Sequence, residues 1–438
     1  MFGGLVASGT SWTPFVLTFI LATLVFGAIG LKMRTEEDQA WLPRWIMLGF
    51  AAKVAGTLAR YWMVVVLYGG GDSYRYFEVG NQLADVWQAG RVPELTESGA
   101  FGTQILEYIT GILFAIFSPD MVGGFLIFSL LAYGGQLFFY GAFRHWAHPH
   151  QLKPYAFFVL FLPTYFFWPS SIGKDALVVF ALGASAYCAA RLLKTYDIRW
   201  IIGLALSLGL LGLIRIHVAG LVVIGLMAAG LLSRTPKEAG AAVRFRRVLT
   251  LGGFLAAGAV VLAVFPGIFG VDLTGSDALD SFTSDVTRRT SEKGAVAAGS
   301  PVSGPADVPG AIALALFRPF VFEASEVQHL FSAAETSLLL AVTVWKLPTI
   351  LRSWRSWRGN AYVVFCTFYV LSYSIAFSVV RNLGIIARQR GQVIAFFLCI
   401  VIGLGWAERP KAERPTIYPT GAGVPRETLQ SIARGPGP

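Results

Sequence analysis

The sequence has little charge. Only 14% of its 438 residues are Asp, Glu, Lys or Arg, against roughly 25% in soluble domains. Hydrophobic residues make up 55%, and a soluble protein of this length needs more polar surface to cover its core. Because long apolar runs recur from Trp12 to Trp406, lipid is the expected solvent for most of the chain.

Cysteine is also scarce, and its positions exclude a disulfide framework. The three cysteines each lie inside an apolar segment, without metal-ligand spacing, so we interpret them as small buried hydrophobic residues. Three histidines in segment 145–150 lack a neighbouring acid or cysteine, and we predict no metal site there. No basic region precedes the first apolar run, so we interpret 12–31 as a retained span.

The formal net charge of +10 does not indicate nucleic-acid binding. Many Lys and Arg residues lie in short connections between apolar runs, where they orient a membrane protein with its basic loops in the cytoplasm. We therefore predict a lipid bilayer as partner and no nucleic acid.

The apolar runs predict an all-α polytopic membrane protein with about eleven transmembrane helices. Two further segments, 102–117 and 309–322, are predicted to lie along the outer interface as juxtamembrane helices, because crossing there would move basic connections to the opposite side. The predicted spans are 12–31, 44–68, 120–142, 153–169, 174–193, 199–214, 217–233, 248–267, 328–350, 360–380 and 391–407.

This topology places the N-terminus outside a cell membrane and the C-terminus in the cytoplasm. It predicts one transmembrane domain over 1–407, with external loops at about 69–120 and 266–328. The segment 408–438 repeats Pro, Gly and Arg and is predicted to be a disordered cytoplasmic tail.

Polar residues interrupt the apolar pattern at the predicted outer face. A charge inside a bilayer costs at least ~2.5–3.5 kcal/mol on insertion scales, so such residues usually mark a site or pathway. Structural alternatives exist for each: a helix cap or interfacial anchor, a helix-start ion pair, or a snorkelling arginine. The candidate residues are Asp72, Tyr76, Glu78, Lys174, Asp175, Arg215, His217, Arg318, Arg381, Arg388, Arg390 and Gln392.

The basic cluster between the last two predicted spans is the hardest to explain structurally, because it contradicts the positive-inside trend. Arginine is the preferred phosphate ligand, since its guanidinium donates two parallel hydrogen bonds. Several cations and one or two acids on one membrane face therefore suit an anionic, lipid-linked substrate.

Three stretches resemble the GT-C superfamily of membrane glycosyltransferases: Asp72 after the early glycines with Tyr76 following, the segment 102–120, and 170–175. The resemblance covers roughly residues 44–235 and implies an inverting transferase at the extracytoplasmic face that acts in cell-envelope glycan assembly. The implied donor is a polyprenyl-phosphate-linked sugar, and the acceptor a glycan or lipid. No cofactor is required, although a divalent cation such as Mg²⁺ or Mn²⁺ is compatible.

Roles follow from that resemblance. Asp72 is the predicted base and Asp175 a second acid, while Tyr76, Glu78, His217, Arg381 and Gln392 are further site candidates. The predicted phosphate ligands are Lys174, Arg215, Arg318, Arg388 and Arg390.

Two alternatives stay open. Arg215 and the pair Arg388 and Arg390 also suit Wzy- and EpsG-like polymerases, which join lipid-linked oligosaccharides. A transporter or flippase of lipid-linked glycans would use the same cations, and it would need polar residues through the midplane, where Lys53 and Arg60 are the main candidates.

Overall fold

The secondary structure is helical, and the described residues contain no strand. A computed structural model describes residues 13–34, 39–93, 102–195, 197–233, 252–253, 302, 304–324, 327–378, 380 and 382–406. The predicted all-α class is therefore confirmed. The helices are α1 (Thr13–Met33), α2 (Leu42–Tyr61), α3 (Asp72–Gln88), α4 (Thr103–Phe117), α5 (Met121–Arg144), α6 (Pro149–Phe161), α7 (Pro163–Phe166), α8 (Lys174–Thr195), α9 (Ile198–Leu232), α10 (Val308–Phe317), α11 (Val327–Ser353), α12 (Ala361–Phe377), α13 (Leu383–Gln389) and α14 (Ile394–Gly405).

Six of the described helices are long and apolar enough to cross a membrane, and a seventh span results if a bent pair is counted as one. This agrees with a multi-pass membrane protein, but the predicted count of eleven is not confirmed. The predicted span 248–267 lies outside the described residues apart from two positions, and so does the predicted tail at 408–438. The six are α1, α2 with its π-helical continuation Trp62–Leu67, α5, α8, α9 and α11.

Other predicted spans are short or broken. The span predicted at 153–169 divides into α6 and α7 at Leu162, whose ψ of 136° is extended. Pro163 favours this break, because a proline disfavours the helical conformation in the residue before it. The last predicted span, 391–407, is mostly the 12-residue α14, which is bent by 60° from the preceding segment Leu383–Gln392. A prediction by apolar run length does not detect such breaks.

Helix α9 is kinked at Arg215, and we call this point the turn of α9. The φ and ψ of Arg215 are −147° and 84°, which is not helical. A Cβ added to Gly212 would lie 4.0 Å from the Cβ of Ala219, although seven residues advance about 10 Å along a straight helix. The two halves therefore contact each other across the turn, and the separate spans predicted at 199–214 and 217–233 remain a prediction.

The connections rich in basic residues meet at one end of the bundle, which we call the basic end. There the Arg144 guanidinium donates to the Met33 carbonyl at 2.7 Å, and the Lys194 ammonium donates to the His145 carbonyl at 2.9 Å. Hydrogen bonds join further chain segments at this end, among them Arg358 to the Leu232 carbonyl at 2.9 Å. Assigning this end to the cytoplasm remains a prediction from the positive-inside rule.

Helices α3 and α4 form a pair outside the long apolar helices. They approach closely where a Cβ on Gly80 would lie 2.5 Å from Thr110 Cγ2, and Arg75 pairs with Glu107 across them at 3.1 Å. With 15 residues, α4 is about 22 Å long, shorter than the ~30 Å hydrocarbon core. This length suits the predicted juxtamembrane role of 102–117.

The second predicted juxtamembrane helix is shorter than expected. It was predicted to run over 309–322 and to carry Arg318, but α10 ends at Phe317, and Arg318 is extended with a ψ of 150°. Pro319 explains the difference, because it disfavours a helical conformation in the residue before it.

Glycines allow a close backbone contact between α5 and α8. A Cβ on Gly135 would overlap the Val179 carbonyl, and a Cβ on Gly183 would overlap the Gly135 carbonyl. Small residues allow such backbone approach where lipid supplies no hydrophobic drive between helices.

We predict that Gly135→Ala and Gly183→Ala each destabilise the protein by about 1–3 kcal/mol or more, because backbone atoms cannot move aside as a side chain can. The measurement is thermal unfolding in detergent. Gly209→Ala is the matched control, since nothing lies within 4 Å of its added methyl. An equal loss of stability in the control would contradict the packing explanation.

Candidate functional site

Asp175 is held by two arginines at the end of the bundle opposite the basic end. Its Oδ1 accepts from Nη2 of Arg215 at 2.8 Å, and its Oδ2 accepts from Nε of Arg388 at 2.5 Å. The three side chains are 15%, 9% and 40% exposed in that order. Asp175 in the first turn of α8 therefore fixes the turn of α9 and helix α13 at the same point.

Lys174 does not pair directly with Asp175. Its Nζ instead donates to Oγ1 of Thr103 at 2.7 Å, at the first residue of α4. The preceding Gly102 has a φ of +90°, and an added Cβ would lie 2.7 Å from the Ile214 carbonyl. A side chain at position 102 would be strained by the positive φ and would overlap that carbonyl, so glycine is needed there. Without a side chain, the start of α4 can contact the turn of α9.

Asp72 is the exposed carboxylate of this region. It is the first residue of α3 and follows Gly71, whose φ of +129° favours glycine. No described residue lies within hydrogen-bonding or ion-pair distance of its carboxylate, although its charge interacts with Lys174 and Arg388. The helix start is anchored because the Ser73 hydroxyl donates to the Ile172 carbonyl at 2.9 Å.

The two other candidates on α3 differ in their surroundings. Tyr76 is buried, and burial raises the pKa of its phenol, with the negative charge of Asp72 as the next contribution and Arg388 opposing it. Tyr76 therefore stays protonated and able to donate a hydrogen bond. Glu78 is exposed, six residues after Asp72 and so on a different face of the helix.

Arg60 belongs to this site, although the sequence placed it only in the interior of the second span. Its guanidinium lies over the rings of Phe167 and Trp168, 5.6 and 5.2 Å from their centres. Its charge interacts with Asp175 and Arg388. The sequence feature that could have indicated its role is an arginine inside an apolar run, which is costly in lipid. The sequence analysis assigns this arginine to the transport alternative instead.

We call these six charged residues the anion cluster: Arg60, Asp72, Lys174, Asp175, Arg215 and Arg388. Four cations against two carboxylates leave two excess positive charges. Nη1 of Arg215 is buried and has no hydrogen-bond partner among the described residues. A cluster with excess positive charge and an unused guanidinium donor is suited to an anionic group such as phosphate.

Two predicted phosphate ligands are engaged elsewhere. Arg390 is fully buried, and its Nη2 donates to the Arg318 carbonyl at 2.7 Å. The Arg318 side chain donates from Nε to Oε2 of Glu323 at 3.0 Å. Partial burial works to raise the pKa of Glu323, but hydrogen bonds from Arg318 and the Phe320 amide outweigh it and hold that pKa below its usual value.

The remaining candidates fall in three places. His217 is half-buried just after the turn of α9, with its ring centre 5.9 Å from that of Phe377. Gln392 is buried. Arg381 lies outside the described residues.

A small cleft lies beside the carboxylate of Asp175. Its cavity volume is about 10 Å³, room for about one water molecule. Charged residues lie at one side of it, and neutral polar and apolar residues line the remainder. The lining residues are Thr164, Pro169, Asp175, Val179, Arg388, Gly391 and Gln392.

The site has few groups for a cation. Both oxygens of Asp175 already accept from arginines. In the part of the chain that the structure describes, no three His, Cys, Asp or Glu side chains lie close enough together to hold a metal ion. Of the cluster carboxylates, Asp72 is the one left to contact a ligand directly.

No family model matches the chain, and no curated protein or solved structure matches it significantly. Its function is therefore inferred from the chemistry of the site.

We predict that Asp175→Asn destabilises the protein much more than Asp72→Asn does. Asp175→Asn leaves two arginines without their carboxylate, which costs about 3 kcal/mol for a buried pair and less where Arg388 meets water. Asp72→Asn removes an exposed, unpaired charge and is expected to change the free energy of unfolding by less than about 0.5 kcal/mol. Thermal unfolding of both variants in one detergent checks this. A stable Asp175→Asn protein would show that the ion pairs with Arg215 and Arg388 do not hold the helices together.

Proposed function

We propose that the protein is an integral membrane glycosyltransferase that transfers a sugar from a polyprenyl-phosphate-linked donor to a glycan or lipid acceptor. The reaction takes place at the extracytoplasmic face of the cell membrane, in cell-envelope glycan assembly. The observation that carries the proposal is a free carboxylate, Asp72, beside a cluster with excess positive charge at the end of the bundle opposite the basic end.

The charge of the anion cluster suits the leaving group. A phosphodiester-linked sugar carries one negative charge, and the released phosphate monoester carries about −1.5 to −2 at pH 7. Two excess positive charges therefore match the phosphate after bond cleavage better than before it. Interactions that strengthen as the charge develops lower the barrier.

Asp72 is suited to be the base. The acceptor hydroxyl oxygen attacks the anomeric carbon, and its proton passes to a carboxylate oxygen of Asp72. The bond from the anomeric carbon to the phosphate oxygen breaks, and the phosphate leaves with the electron pair. A single displacement of this kind inverts the anomeric centre.

Asp175 acts as a positioning residue in this proposal. Its carboxylate directs the guanidinium groups of Arg215 and Arg388, so Nη1 of Arg215 and the remaining donors of Arg388 are left for phosphate. Lys174 adds a third cation, fixed by Thr103.

The deep polar residues support a site at one end of the bundle rather than a transport path. Lys53 is fully buried, and its ammonium donates to the carbonyls of Tyr165 at 2.8 Å and Pro169 at 3.3 Å. These carbonyls belong to the broken region after α6, where the helical hydrogen bonds end. Lys53 thus stabilises a helix break and is not needed to bind a passing substrate.

We predict that Asp72→Asn lowers sugar transfer about 10²–10⁴-fold, the usual contribution of a positioned base, while expression and donor binding are retained. Asp85→Asn is the matched control, an exposed aspartate on the same helix. Transfer is measured in membranes containing each variant, and retained lipid by native mass spectrometry of the purified proteins.

The identity of the retained lipid separates the alternatives. A polyprenyl phosphate carrying one sugar supports the transferase. A polyprenyl pyrophosphate carrying an oligosaccharide would replace it with the polymerase, or with a flippase if Asp72→Asn left glycan synthesis intact. Full transfer activity in Asp72→Asn would remove Asp72 as the base.

We also predict that Lys174→Gln lowers transfer about 10²-fold, comparable to loss of one donor that stabilises a developing anion. The amide can still donate to Thr103, so the fold is expected to persist. Lys194→Gln at the basic end is the control for loss of one positive charge. Equal activity of the two variants would contradict a phosphate site at the anion cluster.

A further inference from the structure

Arg60 differs from the other cations of the anion cluster because its donors have no oxygen acceptor. Arg215 and Arg388 both pair with Asp175, and Lys174 donates to a threonine hydroxyl. Among the described residues, none accepts a hydrogen bond from Arg60, and its Nε is buried without a partner. A guanidinium carries five N–H donors, so the donors of Arg60 are available to a ligand.

Arg60 lies inside a segment that is long and apolar enough to span the membrane. That segment runs over Leu42–Leu67, which places Arg60 about 10 Å from its end. The side chain is half-buried, and an arginine in an apolar span is costly unless its charge is compensated. We therefore expect the compensating acceptor to come from a bound molecule rather than from the described part of the chain.

Two aromatic rings hold the Arg60 side chain in place. The central carbon of the guanidinium lies 5.6 Å from the ring centre of Phe167 and 5.2 Å from that of Trp168. Such a contact attracts the cation to the ring faces, but it supplies no oxygen acceptor. The rings therefore restrict the guanidinium without using up its capacity to bind an anion.

The same helix that carries Arg60 also fixes the two rings. Lys53, Gly56 and Arg60 have the i, i+3, i+7 spacing of one helix face. A Cβ on Gly56 would overlap the Phe166 carbonyl, so the backbones of α2 and α7 are in close contact there. The Lys53 ammonium donates to one carbonyl before the ring pair and one after it. One face of α2 therefore supports the rings and carries the arginine that lies over them.

The free donors favour a phosphate as the ligand. The planar fork of a guanidinium matches a phosphate, to which it donates two parallel hydrogen bonds. Arg60 is also close enough to Arg388 for their charges to interact, so one phosphate group between them would compensate both. At this depth in the span, a phosphate attached to a lipid is the form compatible with the apolar surroundings.

We propose that Arg60 is a catalytic residue that binds the phosphate group of the lipid-linked donor, together with Arg388. The proposal rests on the proposed function, which assigns that phosphate to the anion cluster. When the bond to the sugar breaks, its electron pair stays on the phosphate oxygen, and no proton moves at Arg60. The phosphate gains negative charge in this step, which strengthens its attraction to Arg60 as the transition state is reached.

The test compares two lipids that differ in the phosphate group. Purified full-length protein in detergent receives equal amounts of a polyprenyl phosphate and the uncharged polyprenol, with phosphatidylglycerol as an ordinary anionic lipid. Native mass spectrometry quantifies each bound lipid in the wild-type protein, Arg60→Gln and Arg60→Lys. The ratio of bound polyprenyl phosphate to bound polyprenol reports phosphate recognition, which a purely structural arginine would not change.

Arg191→Gln is the matched control. The Arg191 guanidinium lies 4.6 Å from the ring centre of Trp200, and its Nε is also buried without a described partner. It lies one turn before the end of α8, next to Lys194 at the basic end. The control therefore removes an arginine with similar local contacts that is far from the anion cluster.

We expect Arg60→Gln to lower the ratio about 10–100-fold, the loss expected for a hydrogen bond to a charged group. Arg60→Lys should lower it less, because an ammonium keeps the charge but not the planar pair of donors. Arg60→Gln should remain folded, since a neutral side chain replaces a charge without a partner, and thermal unfolding checks this. In transfer assays its kcat should fall by a larger factor than its KM rises.

Three outcomes would overturn the role of Arg60. They are an unchanged ratio in folded Arg60→Gln, an equal fall of the ratio in Arg191→Gln, and an equal loss of bound phosphatidylglycerol, which would assign Arg60 to an ordinary lipid. In each case the proposed function would survive if Lys174→Gln still lowered the ratio. Equal binding of polyprenyl phosphate and polyprenol by the wild-type protein would overturn the proposed function itself.

Discussion

The ion pairs of Asp175 are the interaction on which this end of the bundle depends. One carboxylate joins three elements that are distant in sequence: the start of α8, the turn of α9 at Arg215, and α13 at Arg388. The turn has no loop of its own to stabilise it, so the ion pair holds it instead. The same contact orients two guanidinium groups beside the cleft. In the proposed function, phosphate binding would depend on the same carboxylate that joins these elements, and the two arginines are already in place without a ligand.

The distribution of charge follows from the cost of placing it in lipid. At the basic end, cations donate to the carbonyls where helices stop, as Arg144 does to Met33. At the opposite end, cations face carboxylates and a cleft, and some of their donors stay unused. The positive charges at the two ends therefore have different partners: backbone carbonyls at the basic end, and carboxylates at the opposite end, where we propose that an anion binds.

Sequence reasoning predicted the grouping of polar residues better than their individual partners. Asp72, Lys174, Asp175, Arg215 and Arg388 do meet at one end, because positive-inside topology and span order determine which helix ends lie together.

The hydrogen-bond and ion-pair partners of these residues could not be predicted from the sequence. A Lys followed by an Asp at a helix start predicts a pair, but Lys174 bonds Thr103 and Asp175 bonds arginines, since the contacts come from elements far away in sequence. Arg390 was assigned to phosphate, yet its guanidinium is buried against a carbonyl, and no local pattern distinguishes the two cases. Apolar run length does not show the helix breaks at Leu162 and near Val393, so the number of spans could not be predicted as well as the helical class.

The glycine contacts between α5 and α8 have a consequence for motion. Because backbone lies on backbone at Gly135 and Gly183, a shift of one helix against the other at these positions would bring backbone atoms into steric overlap. Lys174 and Asp175 therefore begin a helix that is held closely against α5. Asp72 begins α3, and the α3–α4 pair packs on the same bundle through buried side chains such as Phe114 and through the Ser73 hydroxyl on the Ile172 carbonyl. The two carboxylates consequently differ in freedom at the level of the side chain: Asp175 is held by two arginines, whereas the carboxylate of Asp72 is exposed and can turn to meet a ligand.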